Sequence, residues 1–445
     1  MSGLLFWSSI AYFFVAHGGG LLLHAAAWSG LRHAEQGNML AELPHIHADL
    51  EAPASLVLLA QDDAVRVVAA VRTLLGLHYS SFEVIVVNDG SRDDTMQLLR
   101  EAFELLPFPE AYRIQLPTRD VTQIHRSIRH PNLRVLDKAK GGRADAWNAG
   151  VNAARYPLIC TLDCDTKLQP DSLHRLALPF VGSADTIASN GMIDGATASV
   201  DRWRMRIDFV ARLRTRLFAP LGWARLNAML IAPSGIQLLR KDAAIEAGGY
   251  CTAARAPAMD MMLRLHYSAC AKSQPYRIAL VGDVVGSRQG AAAPATRERC
   301  SNWQRALLDS VAGNRALPWR RHARLRLRLA SLFVLVVECA GPAIETLSYA
   351  GIAAAGLSGL IPGLACAAFF SIAIGCGVLL SVSALLLDAL SFRSARNIDE
   401  PAKLLLAAVA ENLGYRQLHA FWRTLGLIAW LRNGAGSRRS DRAVV

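Results

Sequence analysis

Apolar runs of strand length alternate with stretches of helical periodicity through the first half of this chain. Ser55–Ala60 reads as a strand and Ala64–Leu75 as a helix stopped by Gly76. Phe82–Val87 is a second strand, and Asp94–Phe103 the next helix. Leu133–Asp137 and Leu158–Leu162 add strands, and Pro170–Leu176 starts another helix. This alternation predicts a parallel sheet with helices on both faces. Leu105–Asn132 lacks clear periodicity and reads as an insertion. Farther on, Arg202–Arg216 and Arg297–Val311 have the pattern of basic amphipathic helices, Met259–Tyr267 is helical and Ile278–Val281 is a strand.

Longer apolar stretches flank this region. Leu4–Trp28 is long enough to cross a membrane and is expected to remain as an uncleaved helix. Leu329–Leu357 and Leu364–Leu387 are two further spans, joined by the uncharged loop Ser358–Gly363 and preceded by the basic run Arg320–Arg328. Lys403–Leu431 is apolar but interrupted by Glu411, Arg416, His419 and Arg423, a pattern expected of helices lying on the membrane surface. Arg32, Arg320–Arg328, Arg393, Arg396 and Arg438–Arg442 place the central region and the C-terminal end in the cytosol by the positive-inside tendency. The organisation predicted is a membrane helix and its exit over 1–33, a linker over 34–52 and a catalytic domain over 53–319. A basic run with two spans (320–390) and interfacial helices with a basic tail (391–445) complete it. The expected location is the inner (cytoplasmic) membrane.

Composition supports that division. The chain has 445 residues, is 52% hydrophobic and carries a formal net charge of +12. Its Lys and Arg residues are scattered or juxtamembrane, without an aromatic-interleaved stripe, which suits an anionic membrane surface and argues against nucleic acid. Eight cysteines without a CxxC give no disulfide framework or zinc site.

The chemistry converges on Leu158–Thr166, LICTLDCDT. There a strand delivers Asp163 and Asp165, and Asp-x-Asp at a sheet edge can hold a divalent cation against a nucleotide diphosphate. Ligands of such sheets bind beyond the C-terminal strand ends, where Asp62, Asp63 and Asp89 also fall. Gly141-Gly142 opens a helix after Lys138, bringing backbone amides and basic side chains toward phosphate.

The ordered set Ser55–Asp63, VVNDGSRDDT, KAKGGRADAWNAG, TLDCDTKLQPDSL and IEAGGY resembles the successive motifs of family 2 glycosyltransferases. The likeness is to the membrane-embedded synthase-type branch, which includes the cellulose, hyaluronan and poly-N-acetylglucosamine synthases, and it covers roughly Pro53 to Leu307. It implies an α/β, GT-A-like Rossmann-type domain flanked by transmembrane helices. The implied donor is a UDP-sugar and the acceptor a glycan or lipid-linked molecule, with Mg²⁺ or Mn²⁺ as cofactor and other synthase subunits as possible partners. The resemblance assigns Asp63, Asp89, Lys138, Gly142, Arg143 and Asp163 to the nucleotide-sugar pocket, and Asp163 and Asp165 to the metal. Ser234, Gly235 and Trp303 fall to the acceptor side.

Two motifs depart from the family. A Glu-Asp pair whose Asp is the general base is expected where this chain has Pro257-Ala258, and Asp260 lies two residues later. Gln-x-x-Arg-Trp is expected where it reads Arg299-Cys-Ser-Asn302-Trp303. The sequence therefore supports an inverting transferase with Asp260 as displaced base. The alternative is a catalytically impaired homologue acting as a nucleotide- or glycan-binding membrane subunit.

Overall fold

In the computed structural model, residues 2–37, 51–195, 202–233, 235–272, 274–288, 296–319, 323–391 and 400–432 are described. Ten strands form one mixed sheet: β1 Ala54–Ala60, β2 Phe82–Asp89, β3 Leu105–Pro107, β4 Val121–Ser127, β5 Leu133–Lys138, β6 Leu158–Asp163, β7 Thr166–Leu168, β8 Thr186–Gly195, β9 Gln237–Arg240 and β10 Arg277–Arg288. Their order is β3-β4-β5-β2-β1-β6-β9-β8-β10-β7.

The centre, β5-β2-β1-β6, is parallel. Every residue of β1 is buried, as a strand covered on both faces must be. Its side chains alternate between two cores: Leu56 and Leu58 join Val71, Leu74 and Leu99, while Val57 and Leu59 join Ala146, Ala149 and Met262 on the other face. Helix Arg143–Ala153 lies so close to the sheet that a Cβ on Gly150 would stand 2.1 Å from Val57 Cγ1.

Away from the centre the expectation of a purely parallel sheet fails. β9 runs antiparallel to both β6 and β8, and β7 antiparallel to β10. The stretch expected to be an insertion, Leu105–Asn132, instead contributes β3 and β4, antiparallel strands that extend the sheet at one end. Most of β4 is partly or fully exposed, so its polar side chains leave little apolar signal.

Among the described residues, three helices are long and apolar enough to cross a membrane: Phe6–Leu31, Leu325–Leu357 and Gly363–Leu390. The second widens into a π-turn over Val334–Ala340, just ahead of Pro342, where a proline ring cannot continue regular helical bonding. The C-terminal stretch forms two helices that pack against the rest of the chain. Helices Pro401–Ala410 and Arg416–Arg432 meet at a break where Gly414 has φ 117°. That break is packed among the spans: Asn412 lies against Gly377 and Ser381, and Arg416 bonds His17 and Glu345. Both limbs then return toward the catalytic domain, Leu404 packing near Ile207 and Arg423 bonding Gln304. The break is tolerated there because neighbouring helices cover its backbone and Glu411 and Arg416 each have partners.

Candidate active site

The parallel strands end on one side of the sheet, and there β1, β6 and the start of helix Arg143–Ala153 border an open cleft of about 590 Å³. Asp63, Gly141, Gly142, Arg143 and Asp163 line one wall; Thr252, Arg255 and Pro257 line the other. The turn after β6 explains the Asp-x-Asp spacing. Cys164 is buried and its Sγ donates to the Leu59 carbonyl at 3.0 Å, so the middle residue is pinned inward while its two neighbours face out.

Each of those carboxylates faces a guanidinium across a gap too long for a charge-assisted hydrogen bond. Arg143 Nε stands 3.5 Å from Asp163 Oδ1, and Arg288 Nε stands 3.3 Å from Asp165 Oδ2. Asp163 Oδ1 is buried and accepts no hydrogen bond. Burial, and then Asp165 and Asp63, push the Asp163 carboxyl above the usual range, against the pull of Arg143 and Arg288. A buried, unsatisfied carboxylate oxygen that resists ionisation is stabilised by an added cation, so the residues fit a divalent metal. Among the described residues no group of three or more His, Cys, Asp and Glu could hold a metal ion. The protein therefore offers two carboxylates, and further oxygen ligands would come from diphosphate and water.

Asp89 and Lys138 occupy a different position. Both side chains are fully buried, and neither lines the cleft. Asp89 takes Lys138 Nζ at 2.8 Å, the Gly141 amide at 2.8 Å and the Gly142 amide at 2.7 Å, while Lys138 also pairs with Asp145 at 2.5 Å. This buried knot shapes the glycine turn from beneath. Gly142 has φ 89°, and a Cβ on Gly141 would collide with Asp145 Oδ2 at 2.1 Å, so only glycines fit this approach. Gly248-Gly249-Tyr250 is fastened to the same helix through Asn148, which bonds both the amide and the carbonyl of Tyr250. Tyr250 also meets Thr161 of β6 at 2.9 Å. None of these partners was visible in the spacing of the motifs.

On the acceptor side the placements diverge. Pro257 lines the cleft at the position of the missing acid, but Asp260, one turn farther along helix Pro257–Lys272, does not. It is 2% exposed and accepts from Asn314 Nδ2 at 3.0 Å, so the structure does not present it as a base to the cleft. Trp303 is half-buried beneath Arg423, whose guanidinium lies 4.6 Å from the ring centroid, and it does not line the cleft either. Gly235 lies next to Arg288: a Cβ there would stand 3.9 Å from its Nη2. Ser234 falls outside the described residues. Asp63 pairs with Arg66 at the cleft wall.

The mixed sheet has the GT-A fold of solved glycosyltransferases. Residues 57–248 match the glycosyl transferase family 2 model. The chain is 24% identical over 201 residues to a poly-beta-1,6-N-acetyl-D-glucosamine synthase of Staphylococcus epidermidis, a match covering 44% of this chain and 41% of that protein. An uncharacterized glycosyltransferase of Nostoc is 23% identical over 135 residues, covering 30% of this chain and 35% of that one. The chain thus spans less than half the length of these curated relatives. The solved mannosyltransferase PcManGT of Pyrobaculum calidifontis, in complex with GDP-Man and Mn²⁺, superposes with a TM-score of 0.50 at 17% identity, covering 88% of this chain and 99% of that one.

Proposed function

We propose that the chain is a membrane-bound transferase that moves a sugar from a UDP-sugar to a glycan or lipid-linked acceptor, with inversion and with Mg²⁺ or Mn²⁺. The observation that carries this reading is the unsatisfied Asp163 Oδ1 beside Asp165 in a cleft walled by a glycine turn and Arg143. Asp163 and Asp165 would hold the metal, which when bound neutralises the charge that develops on the departing diphosphate. Arg143 supplies a further positive group on the donor wall, and the Gly141 and Gly142 backbone permits close approach. A cleft whose far wall, among the described residues, offers Thr252, Arg255 and Pro257 but no carboxylate suits direct displacement, hence inversion. The GDP-Man and Mn²⁺ of the structural neighbour support a sugar nucleotide and a metal as the class of ligand. The three apolar helices support attachment to a membrane, and the positive-inside pattern supports a cytosolic cleft.

A second reading, an impaired homologue that binds without turning over, is favoured by Pro257 in the cleft and by the enclosure of Asp260. Donor consumption by the full-length protein with Mn²⁺ and with chelator separates the two. Metal-dependent release of UDP that is lost in Asp163→Asn supports the enzyme. Nucleotide binding with no release, across donors and metals, supports the binding subunit.

A further inference from the structure

The far wall of the cleft is tied to the C-terminal helix through one carboxylate. Arg255, which lines that wall, donates from Nε to Asp309 Oδ2 at 2.8 Å. Asp309 belongs to helix Arg297–Gly313, and its Oδ1 accepts from Trp430 Nε1 at 2.8 Å. Trp430 stands near the end of helix Arg416–Arg432, so three separate parts of the chain meet at this link. The two helices that carry it are pressed together a turn earlier. A Cβ on Gly426 would stand 2.7 Å from the Ser301 carbonyl oxygen, and Arg423 bonds Gln304 while lying over Trp303. That contact holds the Trp430 end of the helix at a distance from Arg416, which opens it. With its Nε committed to Asp309, the Arg255 guanidinium is fixed along one edge. Its Nη1 and Nη2 have no hydrogen-bond partner among the described residues. Arg143 on one wall and Arg255 on the other therefore flank the cleft.

We infer that Arg255 binds the donor diphosphate from the far wall, and that Asp309 and Trp430 are positioning residues that aim it. The inference rests on the diphosphate cleft of the reading above and adds a contact to it, set by the C-terminal helix. The diphosphate is the anion that this reading brings into the cleft. A guanidinium with both terminal nitrogens unpaired offers the planar donor fork that phosphate oxygens accept. Proline at 257, where the family places an acid, leaves that fork without a competing carboxylate on its own wall. Asp309 holds the opposite edge, so the long side chain gives up less rotamer freedom when the ligand arrives. Trp430 in turn fixes Asp309. An indole N–H carries no charge, so it orients the carboxylate without competing with it for the guanidinium.

The test uses full-length protein in phosphatidylcholine nanodiscs with Mn²⁺, titrated separately with UDP and with uridine, which has no phosphate. Arg255→Gln should weaken UDP by about tenfold, the loss of roughly one charge-assisted contact, and leave uridine within about twofold. Arg255→Lys, which keeps the charge without the fork, should fall between and guards against misfolding. Asp309→Asn and Trp430→Phe should each weaken UDP by about threefold, the scale of one ordinary hydrogen bond. In the Arg255→Gln background both should have no further effect, since they act through that side chain. Equal losses in the two backgrounds would indicate a merely structural role and overturn the positioning. Unchanged UDP affinity in Arg255→Gln and Arg255→Lys overturns the inference, and so does a parallel loss of UDP and uridine. Absence of UDP binding in the wild type would strike the diphosphate reading itself, whatever the variants show.

Discussion

The two sides of the glycine turn hold similar charged residues in opposite states. Beneath it, Asp89, Lys138 and Asp145 are buried and matched to one another and to backbone amides. Across the Asp-x-Asp turn, Arg143 and Arg288 stand 3.5 and 3.3 Å from Asp163 and Asp165, too far for tight bonds, and Asp163 Oδ1 accepts none. Matched charge fixes the shape of the turn; the unsatisfied carboxylate oxygen is left for a ligand. The same contrast sorts the charges among the apolar helices. Arg416 is bonded to His17 at 2.7 Å and to Glu345 at 2.8 Å, and Glu411 takes Arg214 at 2.5 Å and Ser381 at 2.6 Å, which marks them as braces for the C-terminal segment.

This division can be broken experimentally, and the largest effect is expected at the buried knot. Removing one partner of a buried ion pair costs about 3–5 kcal/mol, so Lys138→Met should lower the unfolding midpoint of the catalytic domain sharply and abolish UDP binding through loss of the turn. Retained stability in denaturant melts would show that the knot is dispensable. A smaller loss is expected at the membrane brace. Hydrogen-bonded polar pairs between membrane helices contribute about 0.6–2 kcal/mol, so Arg416→Met should loosen the C-terminal segment, measured as faster proteolysis in nanodiscs, while UDP affinity holds. A sharpening test comes from Pro257→Glu with Ala258→Asp, which restores the family pair. Under the impaired-homologue reading, metal-dependent UDP release should rise about tenfold or more; an unchanged release would show that the pair is not what the site lacks.

The smallest effect is a pH dependence far from the site. Burial acts to raise the Glu110 carboxyl, but Arg155 and Arg134 outweigh it and hold the group below the usual carboxylate range. A depressed folded pKa means that its contribution is complete above the unfolded value, about 4.3, and is lost as pH falls through the lower folded value. The unfolding midpoint should therefore drop on acidification below about pH 4, and Glu110→Gln should flatten that drop. An unchanged slope in the variant would remove Glu110 from the account.

How much of this was legible in the sequence depended on whether one side chain or a pair carried the information. The central strands were readable because burial on both faces leaves an unbroken apolar run, as in Ala54–Ala60. β4 was missed because its VTQIHRS pattern serves an edge with polar exposure. The enclosure of Glu411 and Arg416 was not legible because they look like surface charges until Ser381, Glu345 and His17, far away in the chain, are brought to them. The Asp-x-Asp pair was found from its strand and turn. By contrast, an aspartate at a strand end reads the same whether it faces a ligand, like Asp163, or a lysine beneath the turn, like Asp89. Arg288 escaped notice because its significance lies only in its proximity to Asp165.

The central claim is that Asp163 and Asp165 form a metal-assisted diphosphate site. Calorimetric titration of the full-length protein with UDP, with and without Mn²⁺, tests it most directly. Wild type should bind UDP at least tenfold more tightly with Mn²⁺, and Asp165→Ala should lose that gain, since metal–oxygen contacts to the diphosphate contribute several kcal/mol. Equal UDP affinity with and without metal, in wild type and variant alike, would contradict the account.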